Sequence, residues 1–267
     1  MRTKGTKSAP SLSIDELVAA IKRSNLTTVL VEGRTDLEVY RWLEGYLSDQ
    51  AIDVLQCGGR DRLLEVFSRS QEFPERRVVF VADQDMWLFS SIPEQYRKGI
   101  LFTKGYSLEN DVYSKSVIEK LFETEEASEF ESTICELSKW FAFVVEKHLA
   151  SDSSALNFPH VNEICPSRTL CPMFASKIGY SDAKPETIGD IQTNYSVKLR
   201  GKTLFEAVLR FLSKTSRKSK YSNRNLLEMC VKLDSPPIID LCRKIKAKAA
   251  LLPASSAIQP ELMLKPA

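Results

Sequence analysis

Four short apolar, β-branched runs fall in the first 105 residues, each followed by a change of pattern. Thr27–Val31 and Ile52–Gln56 predict two strands, residues 77–82 (Arg-Val-Val-Phe-Val-Ala) a third, and residues 100–103 a fourth. Helical periodicity separates them. Ser13 with Glu16 three residues on marks a capped helix start, residues 36–47 place Leu37, Tyr40, Leu43 and Leu47 on one face, and a helix follows over about 61–70. The strands are near-continuously apolar, so the β-α-β-α-β alternation predicts a parallel sheet of about four strands covered by helices on both faces. Beyond residue 113 the pattern is helical. Phe130, Ile134, Leu137, Phe141, Val144 and Leu149 predict a long amphipathic helix over 126–149, and further helices are expected over about 203–213, 223–232 and 236–250. Residues 151–200, rich in Pro, Ser and Asn, give no clear period.

This pattern divides the chain into an N-terminal segment (1–24), an α/β domain (25–112), a mainly helical region (113–252) and a polar tail (253–267). With 267 residues, 43% of them hydrophobic, the chain can bury a substantial core. Net charge is only +2, but it is unevenly spread. Residues 107–136 hold nine acids and two lysines, whereas 196–250 hold fourteen basic residues and four acids. That asymmetry is expected to give a polyanion-binding face or a docking face for an acidic partner. Six cysteines without a C-x-x-C pair, no signal-peptide pattern and no apolar stretch approaching 18 residues lead to the expectation of a reduced, cytoplasmic setting.

Acidic residues stand where the predicted strands end. Glu32 closes the first strand and Asp36 lies one helical turn later; Asp83 and Asp85 close the third, two apart and so expected to point the same way; Glu109 follows the fourth. In parallel α/β sheets the ligand site lies beyond the carboxyl ends of the strands. A lone D-x-D is common on surfaces, but this ordered set is not. Carboxylates gathered in one cleft repel unless a cation neutralises them, and Mg²⁺ or Mn²⁺ suits an all-oxygen set. Such ions can activate water and clamp a phosphodiester. Lys104 is expected to stabilise developing phosphate charge, with Arg34 and Arg60 as further candidates.

The segments Val29-Leu30-Val31-Glu32-Gly33-Arg34-Thr35-Asp36 and Val79-Phe80-Val81-Ala82-Asp83-Gln84-Asp85 resemble the TOPRIM domain of topoisomerases, primases and OLD-family nucleases. Tyr106-Ser107-Leu108-Glu109-Asn110 is similar to the OLD-like branch, and more narrowly to stand-alone anti-phage defence proteins that include the effector subunit of the PARIS system. The resemblance covers residues 27–111. It implies a TOPRIM fold in which Glu32 is the general base or metal-organising carboxylate, Asp83 and Asp85 bind metal, and Asp36 and Glu109 complete the site. It also implies a nuclease cutting transfer RNA or DNA and regulated by a separate ABC/SMC-like ATPase; stand-alone nucleases of this size often pair, so a homodimer is expected when active. A non-cutting TOPRIM-like module that docks an ATPase or senses nucleotide is the alternative.

Other motifs carry less. Gly201-Lys202-Thr203 lacks the upstream glycine of a P-loop and is expected to be a basic turn capped by Thr203. His160, Cys165 and Cys171 fit no zinc spacing. The run Lys214, Arg217, Lys218, Lys220 and Arg224, with Tyr221 inside it, is a candidate phosphate and base contact.

Overall fold

The computed structural model describes residues 12–33, 37–48, 51–152, 154, 158–233 and 235–251. Asp36, Arg34, the first eleven residues and the tail lie outside them.

Four parallel strands, β1 (Thr27–Val31), β2 (Ile52–Gln56), β3 (Val78–Ala82) and β4 (Ile100–Phe102), form one sheet in the order β2-β1-β3-β4. Helix α1 (Ile14–Arg23) precedes β1, α2 (Leu37–Tyr46) joins β1 to β2, α3 (Arg60–Ser68) joins β2 to β3, and α4 (Glu94–Arg97) lies before β4. The capping box at Ser13 forms as its sequence predicts, with Glu16 N–H donating to Ser13 Oγ and Ser13 N–H to Glu16.

Alternation along the strands divides two cores. Val29, Val31, Val79 and Val81 face one side; Leu30, Val78, Phe80 and Ala82 face the other, against Leu17, Val18 and Ile21 of α1 and Leu63 and Val66 of α3. The first side is the larger. It joins α2 and then the helical region: α5 (Leu108–Val112), α6 (Lys115–Ile118), α7 (Thr124–Leu149), α8 (Val161–Ile164), α9 (Pro172–Ile178), α10 (Pro185–Thr193), α11 (Tyr195–Lys198), α12 (Gly201–Leu212), α13 (Asn223–Val231) and α14 (Pro236–Leu251). The expected boundary near residue 112 therefore falls inside a single core. Residues 151–200, patternless in sequence, hold four short helices among the described residues, two of which begin at prolines whose fixed φ suits a first turn.

Part of the charge asymmetry along the chain is met by pairs within the fold. Arg217 pairs with the nearly buried Glu126 and donates to Leu121 O; Lys214 pairs with Glu129 at 3.4 Å and lies over the Phe211 ring; Arg168 also pairs with Glu129. On α14, Arg243 and Lys244 pair with Asp240, and Lys248 donates to the carbonyls of Lys98 and Gly99. Two members of the expected phosphate-binding run thus hold α12 against the acidic start of α7. Lys218, Lys220 and Arg224 stay exposed. Among the described residues, no helix is long and apolar enough to cross a membrane.

Candidate functional site

In the order β2-β1-β3-β4, the chain leaves β1 in one direction and β3 in the other, so the gap beyond the ends of β1 and β3 is a topological switch point. Glu32 and Asp83 stand there, each directly after its strand. The Gly58-Gly59 loop closes one side. Both glycine N–H groups donate to Glu32 O, at 3.0 and 2.8 Å, with φ of 86° and 136° that other residues rarely adopt.

A cavity of about 430 Å³ opens at this point. Its lining includes four of the five carboxylates singled out in sequence, Glu32, Asp83, Asp85 and Glu109, together with Ser107, Phe158, Arg200 and Lys202. Glu32 and Glu109 are almost fully buried. Asp83 and Asp85 face the cavity by a different route from the one expected. The chain is not extended there: Gln84 is helical and Asp85 has φ of 45°, opening a 3-10 turn over Asp85–Leu88. A non-glycine residue in this region carries strain that its surroundings must hold. Here Asp85 N–H donates to Tyr106 O at 2.7 Å, and Gln84 is bound to Thr103 and Lys104 O.

Arg60, the first residue of α3, reaches into the group. Its Nε lies 3.4 Å from Glu32 Oε1 and its Nη2 3.2 Å from Asp85 Oδ2; it also donates to Asp83 O, and the guanidinium lies 4.4 Å from the Trp87 ring centre. Glu32 Oε1 accepts Asp83 N–H at 3.0 Å, and Asp83 Oδ1 accepts Leu108 N–H at 2.9 Å. Burial pushes the Glu32 carboxyl up to about 7, with Arg60 opposing and Asp85 adding to the rise. Burial raises Asp85 as well, again against Arg60 and with Glu109 adding.

Lys104 is not among the residues that line the cavity. It is exposed, and its N–H donates to Asp111 Oδ2. Arg200 and Lys202, nearly a hundred residues further on, line the cavity where Lys104 was expected. They arrive because α12 is strapped to α5. Asn110 Nδ2 donates to Ser196 O and Leu199 O, both at 2.9 Å, and Tyr106 N–H donates to Val197 O at 2.8 Å. Gly201 permits the contact: a Cβ there would lie 2.3 Å from Ser107 Oγ and 2.8 Å from Glu109 Cβ. The basic turn at Gly201 is thus the first turn of α12, with Arg200 rather than Thr203 at its N-cap. Thr203 is buried inside the helix, and its Oγ1 accepts from Arg200. Arg200 also stacks on Phe158 at 4.8 Å. The sequence carries one sign of this arrangement, a glycine flanked by two cations. His160 and Cys171 are the N-caps of α8 and α9, and buried Cys165 donates to Ser167 O.

The donor set fits a hard divalent cation: four carboxylates share one cavity and, among the described residues, no soft ligand lines it. Among the described residues no three candidate ligands are grouped closely enough to hold one ion as they stand. Asp36 lies outside those residues, and Arg60 pairs with two of the four acids. Compared with protein-family models the chain matches none, and no curated protein matches it.

Proposed function

We propose that the chain is a metal-dependent phosphodiesterase of the TOPRIM type, closest in pattern to the OLD-like branch, that cuts nucleic acid. The observation that carries this reading is the gathering of Glu32, Asp83, Asp85 and Glu109 in one cavity at the switch point of a parallel sheet. Mg²⁺ or Mn²⁺, when bound, supplies Lewis-acid activation of water and of the phosphate. Asp83, Asp85 and Glu109 are the residues that would hold it, with Asp36 as a further ligand. Glu32, buried and close to neutral in its proton affinity, is suited to take a proton from the attacking water. The raised Glu32 and Asp85 carboxyls hold a proton more readily than ordinary acids when no cation is present.

Resemblance alone supports the finer reading: an anti-phage nuclease acting on transfer RNA or DNA and controlled by an ABC/SMC-like ATPase; pairing as a homodimer is expected from its size as a stand-alone nuclease. The test is direct. Purified wild-type chain with Mg²⁺ or Mn²⁺ is expected to cut RNA or DNA, and Glu32→Ala to lose at least about a hundredfold in rate while keeping its circular dichroism. Equal rates would reject the reading.

One observation favours a second reading, a TOPRIM-like module that binds without cutting. Arg60 already neutralises part of the acidic group without any ion. Calorimetric titration separates the two: millimolar Mg²⁺ or Mn²⁺ that binds with measurable heat supports the hydrolase, and no heat supports the module.

A further inference from the structure

A second cavity, of about 340 Å³, shares Glu109 and Lys202 with the acidic one. Its character is different. Phe205, 2% exposed, and Leu209 give it an apolar wall, while His160 and Asn223 stand exposed on the rim. The frame around it is fixed. Glu206 Oε2 accepts Val161 N–H at 2.9 Å, and Arg210 donates to Val161 O and Asn162 Oδ1, which locks α8 onto α12. His160 Nδ1 accepts Asn162 N–H at 3.1 Å, so in the neutral ring the proton sits on Nε2. Asn223 offers both a donor and an acceptor and makes no side-chain hydrogen bond within the described residues.

We propose that this second cavity is a nucleobase site, holding the base next to the phosphodiester that lies among the carboxylates; the inference rests on the nucleic-acid reading above. A base is a flat group with apolar faces and an edge of mixed donors and acceptors, which matches an apolar wall below a His and Asn rim. The acidic cavity, once a divalent cation offsets its four carboxylates, presents that charge with Arg200 and Lys202 to a phosphate rather than to a base. Glu109 and Lys202, common to both cavities, stand at the junction between base and phosphate. A base paired and stacked inside a duplex cannot enter a recess beside the acids without leaving its stack. The substrate class is therefore an unpaired strand.

Binding tests this apart from cleavage. Glu32→Gln protein with Mg²⁺ is titrated by fluorescence anisotropy with a short single-stranded oligonucleotide, its duplex, and a fully abasic strand of the same length. The single strand is expected to bind at least about tenfold more tightly than the other two. The double variant His160→Ser, Asn223→Ala is expected to remove that advantage while leaving duplex and abasic binding unchanged. Both positions are exposed, and serine preserves the helix cap, so the fold is not at risk. Equal affinity for all three ligands, or a double variant that binds the single strand as before, would overturn the base site. Wild-type protein that shows the preference yet leaves the strand uncut rejects the hydrolase and not this site. Protein that cuts duplex and single strand alike rejects this site and not the hydrolase.

Discussion

Glu32 shows how one side chain joins fold to chemistry. Its carboxylate is buried beside Asp85 and offset by Arg60, and its carbonyl anchors the Gly58-Gly59 loop. A carboxyl raised to about 7 from an ordinary 4.5 favours the protonated form in the folded state. Its stabilising contribution is therefore complete below pH about 4.5 and is lost as pH rises through about 7. In chelator, melting temperature is expected to fall across this window in wild type and to fall less in Glu32→Gln. Parallel melting curves for the two proteins would show that Glu32 is not raised. The neighbouring Asp85 carries backbone strain at a φ of 45°, held by its bond to Tyr106 O.

At the scale of elements, the decisive contact is α12 against the start of α5. A methyl group at position 201 meets Ser107 Oγ at 2.3 Å and Asn110 Oδ1 at 2.8 Å, and neither belongs to a freely moving chain end. Gly201→Ala gains up to about 1 kcal/mol in helix propensity. Overpacking costs about 1–3 kcal/mol. The expected result is net destabilisation by about 1 kcal/mol in urea unfolding, with cleavage reduced at least tenfold because Glu109 shifts. The basic run makes a second case. Arg217→Ala leaves the buried Glu126 carboxylate without its cation, with Glu123 N–H still donating to it, which is expected to cost about 3 kcal/mol in the same assay. Loss of nucleic-acid affinity with unchanged stability would instead restore Arg217 to the substrate face.

Across the whole molecule, one face of the sheet and the helices beyond it share a core. Trp140, Phe130, Phe141 and Phe205 are buried in the same cluster as Val29 and Val79 of the strands. Trp140→Ala, at a position 1% exposed, is expected to cost about 3–5 kcal/mol and to shift a single cooperative transition seen alike by fluorescence and circular dichroism. A separate transition for the α/β portion would show that the boundary near residue 112 is a true domain boundary.

The sequence by itself determined the strands, most of the helices and the four carboxylates that line the cavity. These follow from local rules: β-branched runs make strands, 3.6-residue periodicity makes helices, and acids just past parallel strands meet at the sheet's carboxyl edge. It failed where the partner is distant along the chain. Lys104 sits near Glu109 in sequence but is exposed and does not line the cavity, only its backbone N–H being held by Asp111, whereas Arg200 and Lys202 reach the cavity through Gly201 and the Asn110 strap. The basic run looked free because its acidic partners lie some ninety residues earlier. Only tertiary structure decided which charges meet, because pairing between distant residues depends on how helices pack over the sheet and leaves no periodic mark in the chain.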